Sequence, residues 1–176
     1  SYARAAAMAM GRSMDDGVIS AATGSANTGK AGTTSTALPS GQKIVHGSAG
    51  LTKAKLLSAK KILDANSVDP SIQRYMIVSP DQMEDLLGIN EVASADFNTV
   101  RALVQGDVDT YMGFKFITSN RLGTDSDGNR QVLAFAGDGI KLAVGKDITS
   151  RIEERADKSF STQIYYCIDI GATLMQ

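Results

Sequence analysis

The stretch RYMIVSPDQMEDLLG, Arg74 to Gly88, decides the fold class of this 176-residue chain. Its first half, RYMIVS, is a short apolar run between polar flanks, the pattern of a buried strand. Its second half opens with Ser79, a good N-cap, and then Pro80, whose fixed φ suits the first helical position. Gln82 completes a capping-box pattern with Ser79, and Gly88 is placed to close the helix. A strand that runs straight into a capped helix fixes both elements and the boundary between them.

Working upstream, Asp69-Pro70 breaks the chain, and Leu51 to Asn66 reads as a helix. Leu56, Ala59 and Leu63 share one side of it, with Lys53, Lys60 and Lys61 largely on the other. From Gly24 to Gly50 the composition turns to Gly, Ser, Thr and Ala, with Pro39 in the middle, and only KIVH offers a short strand. A connection this long is usually functional, disordered or ordered by a partner. Ser1 to Ala22 reads as one long helix, because Ala6, Met10, Met14, Val18 and Ala22 track a slowly rotating stripe. Asp15, Asp16 and Gly17 weaken its last turns, and Gly24 stops it.

Downstream, the pattern predicts a helix over Phe97 to Gln105, ended by Gly106. YMGFKFITS alternates Phe114 and Phe116 against Lys115, a half-buried strand. DSDGN is a turn, followed by strands at QVLAFA and IKLAVG. Ser150 to Arg155 and Thr162 to Ile170 read as two longer strands. In the second, Ile164, Tyr166, Ile168 and Ile170 oppose Gln163, Tyr165, Cys167 and Asp169. Helices come first and strands follow without regular βαβ alternation, so the class is α+β.

Composition narrows the function. Apolar residues make up 43%, which supports a folded core. A net charge of −1, from 18 basic and 19 acidic residues, lacks the basic excess of a protein that grips nucleic acid. The lone cysteine, Cys167, excludes an intramolecular disulfide and a cysteine-based zinc cluster. No apolar run approaches the roughly 20 residues of a membrane helix, and SYARAAAMAM is not a signal peptide. The chain opens at Ser1 inside a predicted helix, so a fragment or a processed product is expected.

Four candidate sites weaken on inspection. GSANTGKA, Gly24 to Ala31, matches a phosphate-binding loop through Gly29 and Lys30, but Ala31 stands where a Mg²⁺-binding hydroxyl belongs. It also follows a helix, whereas such a loop follows a buried strand and opens a helix. Asp125, Asp127 and Asn129 resemble the start of a calcium loop. Gly128 is fourth instead of sixth, however, and Ala136 holds the twelfth place of the bidentate Glu, so a hairpin turn is the better account. His46 is the only histidine, and a Cys-His pair with Cys167 stays open at this level, although plain alternating strand around Cys167 favours a structural role. Glu153 and Glu154 are adjacent on a strand and point to opposite faces, poor geometry for an acid-base pair. No catalytic, cofactor-binding or metal-ligating residue is assigned, no cofactor is implied, and the chain is not read as an enzyme.

Three stretches in order resemble tailed-bacteriophage major capsid proteins of the Hong Kong 97 type. They are the Ala-rich helix running into MDDGVISAATG, then YMIVSPDQMEDLL with GDVDTYMGFKFITSNRL, then VLAFAGDGIKLAVGKDITSRIEERADKSFSTQIYYCIDIGATLM. In the last, an Ala-Val-Gly turn leads into the closing strands. The resemblance implies a peripheral-type domain at residues 1–46 and 146–176, holding a spine helix and long strands, and an axial-type domain at residues 47–145. It implies a structural subunit that forms hexamers and pentamers and closes an icosahedral shell around double-stranded DNA, without specific DNA binding. The partners expected are copies of itself, together with scaffold, portal or decoration proteins, and no membrane. The place is the virion, assembled in the host bacterial cytoplasm. By that resemblance the chain is expected to be a fragment lacking the N-terminal arm and extended loop that precede the spine helix. An encapsulin-type compartment shell, and a nucleotide-binding enzyme using Gly24 to Lys30, are the alternatives.

Overall fold

The structure is a computed structural model that describes residues 2–87 and 110–175. The predicted helix at Phe97 to Gln105, its Gly106 stop and the closing Gly88 lie outside the described residues. Helix α1 spans Tyr2–Thr23, β1 Ser25–Thr28, β2 Thr34–Ala37, α2 Lys53–Ala65, β3 Arg74–Val78 and α3 Pro80–Leu87. Strands β4 (Thr110–Tyr111), β5 (Phe114–Thr118), β6 (Leu133–Ala136), β7 (Ile140–Arg155) and β8 (Ser161–Leu174) follow. The α+β expectation holds.

The deciding stretch folds as its chemistry dictates, with one change. The Ser79 N–H donates to Gln82 Oε1 at 2.9 Å, the reach-back half of a capping box. The Ser79 hydroxyl, instead of accepting from the backbone, donates to the same Gln82 oxygen at 2.6 Å. Strand β3 then occupies an interior place in a four-stranded sheet ordered β4-β5-β3-β6, parallel to β5 and antiparallel to β6. Strands β4 and β5 meet through a two-residue turn at Met112 and Gly113, both with positive φ. That is the left-handed pair a tight hairpin requires, and glycine takes the second position without strain.

Both faces of the sheet are covered. On one, Met76 and Val78 of β3 with Tyr111, Phe114 and Phe116 pack under Leu51, Leu56 and Ala59 at α2 and Leu86 of α3. Leu56, Val78 and Phe114 are fully buried, each worth about 1.5–3 kcal/mol in transfer alone. On the other, Ile77 meets Ile19 of α1 and Leu122, with Leu133 and Phe135 against them. Tyr75 and Phe135 stack at 5.9 Å on this side. The predicted α1 stripe holds: Ala6, Met10, Met14 and Val18 are half-buried and Ala22 is buried.

Polar contacts tie these layers together. The buried Arg74 guanidinium meets Asp64 Oδ1 at 2.6 Å and donates to the Val68 carbonyl, while its Nε has no partner. Arg121, after β5, forms a two-pronged pair with Asp16 of α1. Arg121 holds the Asp16 carboxyl below its ordinary range, first by hydrogen bonding and then by charge. Lys55 Nζ gathers the carbonyls of His46 (2.6 Å), Ala49 and Gly50 (2.7 Å), winding that loop onto α2. The Leu51 N–H donates to Asp85 Oδ2 of α3 at 2.9 Å.

Three sequence expectations are corrected. KIVH forms no strand: Val45 is 83% exposed, and without a partner strand among the described residues to supply ladder bonds extended backbone gains nothing. The Gly/Thr-rich stretch is instead a hairpin, β1 against β2, pairing Ser25 with Ala37 and Thr28 with Thr34. Finally, Ala143-Val144-Gly145 is not a turn. Strand β7 runs unbroken from Ile140 to Arg155, and the register slips around Gly145 as a bulge.

Candidate functional site

Among the described residues strands β7 and β8 pair only with each other, as an antiparallel two-stranded ribbon from Ile140↔Leu174 to Arg155↔Ser161. Neither strand contains a buried residue. Alternation along β8 sorts the ribbon into two faces. Ile164, Tyr166, Ile168 and Ile170 share one, with Ile152 opposite Ile164 and Ser150 opposite Tyr166. This is the partition the sequence predicts. Helix α1 packs on the base of that face, where Gly17 leaves room beside the Ile170 side chain. Towards the turn the face is bare: Ile152 is 67% exposed and Ile164 is exposed as well.

The turn itself carries unusual backbone. Arg155 leads into a short 3₁₀ turn, Ala156–Lys158, and then Ser159 and Phe160 both adopt positive φ, 53° and 58°. For a bulky side chain this region is an outlier. It leaves Phe160 projecting, 71% exposed. Sequence reasoning passed over Phe160; the available signal was a large apolar residue directly after a polar turn, DKS.

The opposite face is polar. Lys146, Thr149, Arg151, Glu153, Gln163 and Tyr165 line a shallow hollow of about 260 Å³. A hydrogen bond to Cys167 holds the Tyr165 phenol above its usual range. Small-molecule sites are larger, mostly apolar and concave, so this hollow lacks their character. Arg155 pairs with Asp157 and reaches Gln163 on the same strand end.

The sequence candidates fall as follows. Lys30 sits exposed between β1 and β2, and Gly29 has φ +86, so the phosphate-loop stretch is strand, turn, strand, with no helix N-terminus to receive a phosphate. Asp125 accepts from the Asp127 and Asn129 backbone N–H groups (3.0 and 2.8 Å), and Thr124 bridges to Arg130, which makes DSDGN a closed turn. Hydrogen bonds from Asn129, its side chain foremost, depress the Asp125 carboxyl, with a last small contribution from His46. His46 lies in the loop wound on Lys55, and Cys167 on β8 opposite Thr149. Glu153 and Glu154 stand opposite Gln163 and Thr162 on alternate faces. Among the described residues no group of three His, Cys, Asp or Glu side chains could hold a metal, and no helix is long and apolar enough to cross a membrane.

No curated protein matches the chain. A solved structure from Mycobacterium phage Che8 is similar, with a TM-score of 0.66 at 21% identity. The likeness covers 98% of this chain and 58% of that one, so the chain spans a little over half the length of that neighbour. At this identity the likeness is one of fold. The profile described as phage capsid protein matches residues 1–176, and the chain belongs to that family.

Proposed function

We propose that the chain is the shell-forming part of a tailed-phage major capsid protein with a Hong Kong 97-type fold. Residues 1–46 and 146–176 form its peripheral-type domain and residues 47–145 its axial-type domain. Copies assemble into hexamers and pentamers that close around double-stranded DNA in the host cytoplasm, aided by scaffold, portal or decoration proteins.

One observation carries the reading: a ribbon of 16- and 14-residue strands with no buried residue and an apolar face left bare towards its tip. An isolated two-stranded ribbon is marginal in water, so a chain that keeps one this long gains by covering it. A shell needs that property, because symmetry repeats each modest contact many times.

The net charge of −1 fits a container that must fill and release its genome, since strong attraction to phosphate hinders both. Electron microscopy and light scattering of the purified chain test the proposal. Rings or closed shells support it, and a monomer at every concentration and salt removes it.

A further inference from the structure

Ser48 stands where the backbone favours glycine. Gly47 and Ser48 have consecutive positive φ values of 59° and 53°, and the Ala49 N–H donates to the His46 carbonyl at 3.3 Å, which closes a tight turn. For a residue with a side chain such backbone is strained, and it persists only where the surroundings impose it. Here one cation imposes it. Lys55 Nζ donates to the carbonyls of His46 at 2.6 Å, of Ala49, and of Gly50 at 2.7 Å, so the turn aims its oxygens at a single ammonium. Lys55 stands in the first turn of α2, where the macrodipole disfavours positive charge, and the three carbonyls supply the negative potential that the helix end does not. Its backbone N–H donates to the Thr52 cap at 3.4 Å.

The next peptide joins this cradle to a further element. The Gly50 carbonyl accepts from Lys55 of α2, while the N–H of the same peptide group, that of Leu51, donates to Asp85 Oδ2 of α3 at 2.9 Å. A cation on one helix and an anion on the next thus hold opposite ends of one peptide, and each polarises it for the other. The Asp85 carboxylate fills the space where a side chain at residue 50 would lie, so the close approach needs glycine. Leu51, the residue fixed in this way, is buried in the core cluster with Leu56, Ala59 and Leu86.

We propose that residues 46–51 are a charge-locked strap, which closes over the α2–α3 side of the core and opens as one unit when either Lys55 or Asp85 loses its charge. Opening relaxes the left-handed turn, frees the Lys55 amine and lifts Leu51 from the core. The unit is cooperative because the two charges act through a shared peptide. With Lys55 neutral, the Gly50 carbonyl no longer holds the peptide plane in which the Leu51 N–H meets Asp85; with Asp85 neutral, the same plane no longer aims the carbonyl at Lys55. Segments with few buried contacts open well below the free energy of global unfolding, and Leu51 is the one buried residue of this strap. The inference stands apart from the capsid-subunit reading, since it concerns a single copy of the chain.

Two reporters test it on the full chain, each at the far end of the strap from the change. Hydrogen exchange of the Leu51 amide is followed in Lys55→Met, which leaves Asp85 in place. Acetic anhydride labelling of the Lys55 amine is followed by mass spectrometry in Asp85→Asn, which leaves the carbonyls in place. Each reporter is expected to speed up at least about tenfold over the parent, while Lys60→Met, at an exposed lysine of the same helix, keeps Leu51 exchange within about twofold. In the Lys55→Met/Asp85→Asn double variant Leu51 exchange should stay within about threefold of Lys55→Met, because an open strap has no second contact to lose. Parental Leu51 exchange in Lys55→Met, or parental Lys55 labelling in Asp85→Asn, would show two independent contacts and overturn the proposal. The labelling arm leaves Lys55 unchanged, so it decides the matter even where circular dichroism shows that Lys55→Met has not folded.

Discussion

Gly50 sits where a methyl group cannot. A Cβ built there would come within 3.0 Å of the Asp85 carboxylate carbon and both its oxygens, a separation real Cβ atoms essentially never show. Asp85 is a side chain and can swing away, but it then abandons the Leu51 N–H, which it accepts at 2.9 Å in a partly buried setting. A hydrogen bond to a charged group is worth about 1.5–3 kcal/mol, so its loss costs about 2 kcal/mol. Against this, alanine restricts the unfolded chain and returns about 0.4–1 kcal/mol, and the φ of Gly50 lies outside the left-handed region. Gly50→Ala should therefore destabilise by about 1–2 kcal/mol. Asp85→Ala alone should cost about 2 kcal/mol. In the double variant the methyl group meets open space, so its cost disappears and only the alanine gain remains. The coupling energy is then about −2 kcal/mol, far outside additivity. Urea unfolding at low protein concentration measures it, with each destabilised single variant losing about 0.5–1 M in midpoint. Costs that add to within about 0.5 kcal/mol would refute the reasoning, and so would a Gly50→Ala protein as stable as the parent.

Three further outcomes follow from the contacts described. Leu56→Ala and Phe114→Ala, both at fully buried positions, should cost about 2–5 and 3–5 kcal/mol in chemical denaturation, with the larger loss at the aromatic. Arg74→Met should stay within about 1 kcal/mol of the parent, because it removes a buried charge whose Nε already lacks a partner. Asp64→Ala should instead destabilise by about 1–2 kcal/mol, discounted for the half-exposed carboxylate, by stranding that guanidinium; thermal unfolding of both variants decides. Asp16 has its folded-state pKa depressed, by its hydrogen bond to Arg121 first, so its contribution is complete above the unfolded value of about 3.9 and lost as pH falls through the folded value. Arg121→Gln should move the Asp16 titration midpoint upward towards that value, read by carboxyl chemical shifts.

The parts of the fold legible in the sequence are those specified over a few residues. Ser79, Pro80 and Gln82 place the start of α3 because the cap is a short-range hydrogen-bond device, and β3 follows from an unbroken apolar run. The α1 stripe is visible because one face is covered along most of its length. What failed depended on whether a strand finds a partner, which exposed polar segments do not signal, or on glycine's double meaning. Ile44 and Val45 look like strand, yet among the described residues no neighbour offers a ladder. Ser25–Thr28 and Thr34–Ala37 look like loop, yet they pair with each other through Thr-rich strands whose exposure leaves no apolar alternation to detect. Gly145 reads as a terminator, but in β7 it forms a bulge close to the Asp169 carboxylate. The importance of Phe160 was hidden for a related reason, since exposure and backbone strain are properties of the folded turn.

On the proposed capsid-subunit reading, the ribbon ties assembly to local order. Its base is clamped: α1 lies on β8, Ile170 packs beside Gly17, and the Met175 N–H donates to the Gly139 carbonyl at 2.9 Å. Beyond Tyr166 on β8, and along β7 opposite, the described residues hold together through hydrogen bonds between two exposed strands and a few exposed side-chain pairs such as Arg155 with Asp157 and Gln163, and water competes for them. Opening free energy should fall from base to tip, because it tracks the buried contacts a segment would lose. On the same reading, a neighbouring copy seated on this ribbon would do two things at once: cover apolar side chains, and suppress the fraying of the strands that present them. The ordering cost would be set against each contact and would keep a single contact weak and reversible. Subunits joined by contacts of that strength would dissociate from wrong positions, while a closed shell, which engages many together, would be stable without any one of them being tight.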